Sequence, residues 1–106
     1  MATSKTFASD QCAQYLKAVG AAERLKIIDC LREGPKNVSE ISAALDVEIV
    51  KVSHHLQVLR HAGVVSDRKE GRFVIYTLNP EVYSPSTARQ SSDHLDFGCC
   101  RLELPK

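Results

Sequence analysis

Up to residue 62 the apolar positions recur three and four apart, and beyond residue 64 they gather into two short β-rich runs, so the chain predicts helices followed by a hairpin. Tyr15, Leu16 and Val19 fall at helical spacing within Asp10 to Val19, where Ser9 or Asp10 is suited to cap a start that can lie nearer Phe7. After Gly20, Leu25, Ile28 and Leu31 share one face of a second helix, Glu23 to Arg32, which Gly34-Pro35 stops. Glu40 to Leu45 reads as a short third helix capped by Asn37 or Ser39. A break at Asp46-Val47-Glu48 leads to a fourth helix, Ile49 to Ala62, with Val52, Leu56 and Leu59 on one side and Gly63 ending it. Two helices separated by so short a turn, the second carrying the polar surface, form a helix-turn-helix.

Val64 to Arg68 and Arg72 to Leu78 then flank Lys69-Glu70-Gly71, a hairpin in which Gly71 suits the turn. From Ser84 to Ser92 the chain is polar and reads as a flexible linker. Leu95, Phe97, Leu102 and Leu104 return as anchors around Gly98-Cys99-Cys100-Arg101. The expected fold class is therefore mainly α with a small β-hairpin wing. Its two parts are a winged helix-turn-helix over residues 1–83 and a polar linker with a cysteine-containing tail over 84–106.

Composition changes this picture in two places. The net charge of +1 hides an uneven distribution: residues 1–50 carry six basic and seven acidic side chains, 51–72 carry five and two, and 73–106 carry three and four. The positive excess lies on the fourth helix and the hairpin, a surface that attracts phosphate. At 106 residues a single chain buries a modest share of its surface, so a stabilising dimer interface is expected. No run approaches the ~20 apolar residues that span a bilayer, and the polar start has no signal-peptide core; a cytoplasmic protein with no membrane partner is the expectation. Cys12, Cys30, Cys99 and Cys100 lack the spacing of a secreted disulfide framework, which favours reduced thiols.

Read together, Arg24-Leu25-Lys26-Ile27-Ile28, Val52-Ser53-His54-His55-Leu56-Gln57-Val58-Leu59-Arg60, Ala62-Gly63-Val64-Val65 and Gly71-Arg72-Phe73-Val74-Ile75-Tyr76 resemble the ArsR/SmtB family of bacterial winged-helix repressors over about residues 15 to 83. The resemblance implies a homodimer that represses a nearby operon, often one for metal or metalloid resistance or sulfur stress, and leaves double-stranded operator DNA when an inducer binds. The fourth helix is then the recognition helix, of a diameter that fits the major groove. Lys51, Ser53, His54 and Gln57 on it, with Arg68, Lys69 and Arg72 on the wing, are the expected DNA contacts. Gln57 can pair with adenine, and Ser53 with base or phosphate. Glu48, Ile49, Val50 and Lys51 depart from the small or polar residues usual in the family, so base preference is not carried over.

The family's cysteine pair before the third helix is replaced here by Lys36-Asn37-Val38-Ser39. Its zinc or nickel site on a last helix is disfavoured by Pro85 and the serine-rich run, despite Asp93 and His94. Cys99-Cys100 resembles the vicinal C-terminal pair of some arsenite-responsive members. Soft thiolates select As(III), Sb(III), Cd(II) or Cu(I), and Cys12 is the candidate third ligand because As(III) takes three sulfurs and the first helix commonly lies at the family's dimer interface. Arg101 would favour the neighbouring thiolate, and His94 can serve as nitrogen ligand or proton acceptor. Cys30 is read as core packing, His54 as DNA-facing, His55 as helix surface, and His61 as a helix-end residue favoured by the dipole.

No cofactor is required by this reading, and an inducer ion is its one ligand. The same cysteines serve an alternative, a redox or reactive-sulfur sensor, in which Cys12 paired with Cys99 or Cys100 is preferred to a strained Cys99-Cys100 bond. A tail that senses nothing and merely completes the dimer is also open. Enzyme motifs are absent: there is no phosphate loop, nucleophile elbow or zinc-hydrolase helix. A winged-helix protein-interaction module is the rival from another class, but such a helix would expose apolar anchors.

Overall fold

The computed structural model describes residues 8–89 and 92–105. Four helices, α1 (Ser9–Val19), α2 (Ala22–Leu31), α3 (Val38–Leu45) and α4 (Ile49–Ala62), precede the hairpin of β1 (Val65–Glu70) and β2 (Phe73–Leu78). β3 (Tyr83–Ser84), β4 (Asp93–Asp96) and β5 (Arg101–Leu104) follow as a second, antiparallel sheet in the order β3-β4-β5. This is the expected winged helix-turn-helix. Among the described residues no helix is long and apolar enough to cross a membrane.

α4 is the axis of the packing. Val52, Leu56 and Leu59 are fully buried on its inner side, together with Ile27, Ile28 and Leu31 of α2 and Ile41 of α3. The expected α2 face is corrected here: Leu25 is half exposed, and Ile27 takes the core position in its place. α1 also differs, since Ala8 stands at its N-cap and no side chain caps it.

α3 carries a full capping box, with the Asn37 side chain accepting from the Glu40 N–H at 2.8 Å and the Glu40 carboxylate accepting from the Asn37 N–H at 2.9 Å. Asn37→Ala is expected to lower stability by about 1 kcal/mol in urea unfolding, with DNA affinity measured below the melting range unchanged. Asp46 closes α3 in the left-handed conformation that Asp tolerates, with φ 55°. The Val47 N–H then donates to the Ser42 carbonyl while the Ser42 hydroxyl donates to the Val47 carbonyl, and these two bonds fix the α3–α4 turn.

Gly63, at φ +86°, ends α4 and turns the chain into the wing, where Glu70 pairs with Phe73 across a two-residue turn, Gly71-Arg72. Lys36 bridges to Tyr76 and adds a third segment beside β2.

Residues 93–104 are not an appendage. Leu95 and Leu104 belong to the same buried cluster as the helices, with Phe97 and Leu102 packed against it. β3 itself straddles residues 83 and 84, pairing Tyr83 with Leu95 and Ser84 with His94. Arg32, just past α2, clamps the far edge: Nε donates to Asp93 Oδ2 at 2.9 Å, Nη1 to Pro105 O at 2.8 Å and to Asp29 Oδ1 at 2.7 Å, and Nη2 to Leu104 O at 3.2 Å.

Candidate nucleic-acid interface and thiol cluster

Opposite its buried face, α4 presents Val50, Ser53, His54 and Gln57 in one outward row at helical spacing, with Lys51 beside it. Lys51 and His54 are exposed, whereas Ser53 and Gln57 are half-buried. Gln57 is already engaged: its Oε1 accepts from Arg60 Nη2 at 2.9 Å, and its side chain bonds to Tyr76. Pairing with a base therefore requires Gln57 to exchange a partner. On the wing, Arg68 and Lys69 are consecutive strand residues and point to opposite faces. Arg68 is matched by Glu70 at 2.7 Å, while Arg72 sits in the turn with its guanidinium 5.7 Å from the Phe73 ring. Lys69 and Arg72 are thus the wing charges without an acidic partner among the described ion pairs.

His55 is not the plain surface residue expected. Its ring lies between α2 and α4, with Nε2 2.8 Å from Glu23 Oε1 and Nδ1 3.1 Å from Arg24 Nη1. A guanidinium only donates, so Nδ1 accepts and Nε2 carries the hydrogen that Glu23 receives. That bond holds the Glu23 carboxyl below its usual range. Arg24 continues inward, its Nε donating to the Ala18 carbonyl at 2.6 Å and its Nη2 to the Lys17 carbonyl at 3.3 Å. One side chain thereby connects the C-terminal end of α1 to the middle of α4. Nothing in the local sequence signals this, because the partners lie 31 and 32 residues before His55.

The second cluster joins the start of the chain to its end. Cys12 is buried in α1, and Cys99 and Cys100 are exposed in the turn between β4 and β5. Cys12 and Cys99 form a disulfide with Cα atoms 6.1 Å apart, which corrects the expectation that all thiols are free. Cys100 keeps a free thiol whose Sγ is 3.8 Å from that of Cys99. All three sulfurs lie within 4.8 Å of one another, the one grouping of three candidate metal ligands among the described residues.

The sequence reading brought these three residues together on chemistry alone; the packing supplies the reason. Tyr15, one turn after Cys12, stacks on Phe97 with ring centres 4.6 Å apart. Gly98, at φ +86°, and the bond from the Phe97 N–H to the Cys100 carbonyl turn the loop back towards α1. The other expected participants are engaged elsewhere. Arg101 reaches Glu103 at 3.0 Å and His94 Nδ1 at 3.3 Å, and Asp93 accepts from Arg32, Tyr83 and Ser86. Cys30 is buried in the core, where desolvation pushes its thiol pKa up, as suits an inert packing residue. His61 is exposed in the last turn of α4.

Residues 22–67 match the family described as "Bacterial regulatory protein, arsR family". The chain is 39% identical over 93 residues to the HTH-type transcriptional regulator NmtR of Mycobacterium tuberculosis, covering 86% of this chain and 78% of that protein. It is also 39% identical over 70 residues to the arsenical resistance operon repressor of Escherichia coli, covering 65% of this chain and 60% of that one. Among solved structures, the homodimeric winged helix-turn-helix DNA-binding domain Mb0332 of Mycobacterium bovis superposes with a TM-score of 0.68 at 32% identity, over 76% of this chain and 77% of that one.

Proposed function

The chain belongs to the arsR family of bacterial regulatory proteins, transcriptional regulators with a DNA-binding winged helix, and we propose that it is a homodimeric repressor released from its operator by a thiophilic metalloid, As(III) or Sb(III). One observation carries the choice of effector: Cys12, Cys99 and Cys100 hold three sulfurs within 4.8 Å and no carboxylate or imidazole joins them. An all-sulfur donor set selects a soft acceptor, and a trigonal As(III) takes three. Once reduced, the three thiols would be the ligands. Cys12 lies on α1 and the other two lie beyond the wing, so closing around one ion pulls the tail and α1 together. Arg24 holds the end of α1 and bonds His55 on the recognition helix, which is a physical route from the thiols to the DNA-reading surface.

Lys51, Ser53, His54 and Gln57 in the major groove, with Arg68, Lys69 and Arg72 along the phosphates, form the proposed interface. Binding to the protein's own promoter DNA, followed by fluorescence anisotropy, tests this reading. Reduced wild type is expected to bind specifically and to release the DNA on addition of arsenite or antimonite. Binding without release, or no specific binding at all, counts against it. Lys69→Ala and Arg72→Ala are each expected to lower the slope of log affinity against log salt by about one if the residue meets a phosphate.

The Cys12–Cys99 bond favours a second reading, in which oxidation is the signal. Two thiols lose two protons and pass two electrons to a disulfide- or peroxide-class oxidant, and no ion is needed. Mass spectrometry of the released protein separates the two: a gain of one arsenic atom against a loss of two hydrogens.

A further inference from the structure

Two large apolar side chains on α4 have no share in the core. Val50 is 79% exposed and Ile49 51% exposed, both in the first turn of the helix. Val50 stands four residues before His54 and seven before Gln57, so it heads the outward row that carries the proposed DNA contacts. Lys51 adjoins it, and the first turn carries no acidic residue. The span from Lys51 to Arg72, helix and wing together, holds five basic against two acidic side chains. An apolar tip set in a basic, polar row calls for a partner that is anionic overall yet offers small apolar groups at the depth a helix start reaches.

The major groove is such a surface, because the C5-methyl of thymine is the apolar group displayed on its floor, and the N-terminal residues of a recognition helix come nearest the base edges. We propose that Val50, flanked by Ile49, reads thymine methyl groups in the operator half-site. The inference rests on the DNA-binding reading above and gives it a base preference. Valine offers neither donor nor acceptor. Against thymine it buries methyl on methyl, whereas against cytosine it faces an amino group that loses water and gains no partner. The branched side chain also has little rotamer freedom to lose on contact.

Deoxyuridine tests this, since it differs from thymidine by the methyl alone and keeps every pairing edge. With the protected operator segment mapped by footprinting, each thymidine of a half-site is replaced in turn and affinity is read by anisotropy at fixed salt. Wild type is expected to lose about fourfold at one or two positions, the scale of one methyl group left unburied. Val50→Ala, a change at an exposed site that leaves the core intact, is expected to bind the thymidine operator more weakly and to be indifferent to deoxyuridine at those positions.

A flat response of wild type to every replacement, or an equal response of Val50→Ala, overturns the proposal while leaving DNA binding in place. Failure of wild type to bind its promoter at low salt removes the DNA reading itself. If Val50→Ala instead shifts the monomer–dimer equilibrium in sedimentation and keeps its deoxyuridine response, the patch covers a second copy and the proposal is overturned.

Discussion

Reduced protein with Cys12 replaced by serine is expected to bind operator DNA as wild type does and to hold arsenite at least about a hundredfold more weakly, so that effector concentrations which empty the wild-type operator leave the variant bound. The size follows from the ligand count. Losing an outer-shell partner typically weakens a metal site 10–100-fold, and a sulfur taken from a three-sulfur set exceeds that. The change should leave the DNA-reading surface alone, because Cys12 sits on α1 while the proposed contacts lie on α4 and the wing. Cys99→Ser and Cys100→Ser are expected to act alike, and Cys30→Ser to leave arsenite affinity unchanged, since Cys30 is buried in the core outside the cluster. Unreduced wild type supplies a further comparison: with Cys12 and Cys99 joined, one thiol remains free at the site and arsenite binding should be lost until a reductant is added. A Cys12→Ser protein that releases DNA at wild-type arsenite concentrations would show that the first helix takes no part.

The elements legible in the sequence are those whose signal is local. Val52, Leu56 and Leu59 set the inner side of α4 without ambiguity, and Asn37 with Glu40 marked the start of α3. α2 was harder because Leu25 and Ile27 lie two apart on a helix of 3.6 residues per turn, and a register with either inside satisfies the same count of apolar positions. Only the neighbouring helices decide which faces in. His55 looks like any helix-surface histidine until α2 brings Glu23 and Arg24 against it. The tail strands are four residues each, too short for an alternation to stand out, and Gly98-Cys99-Cys100 reads more readily as a motif than as a turn. Val50 was visible in the sequence as a departure from the family, but its meaning needed the exposure that only the fold supplies. The thiol cluster spans 87 residues, a separation that periodicity cannot bridge; soft-donor chemistry and a family resemblance suggested it, and the Tyr15–Phe97 stack accounts for it.

That cluster persists only while the tail stays docked, and the docking has a second anchor at Asp93. The Ser86 N–H donates to its carboxylate at 2.7 Å, Arg32 at 2.9 Å and the Tyr83 hydroxyl at 3.0 Å. Together they hold its pKa at about 2, below the ordinary 3.8, with the Ser86 bond the largest cause. A carboxyl whose folded pKa is depressed contributes stability above its unfolded pKa and loses it as pH falls towards the folded one. For Asp93 the window runs from about pH 4 down to about pH 2, and the contribution at pH 7 is about 2 kcal/mol. Asp93→Asn is therefore expected to be less stable than wild type by about that amount in urea unfolding at pH 7, with the gap closing as the pH is lowered through this window. A gap that stays constant with pH would mean that Asp93 contributes by shape rather than by charge. The same substitution loosens the β3-β4-β5 sheet that carries Cys99 and Cys100 against α1, so reduced Asp93→Asn should also bind arsenite more weakly without touching a sulfur. Oxidised protein, in which the Cys12–Cys99 bond tethers the tail covalently, should lose less stability to the same change. Agreement between the two effects would tie the stability of the tail to the affinity of the site it brings together.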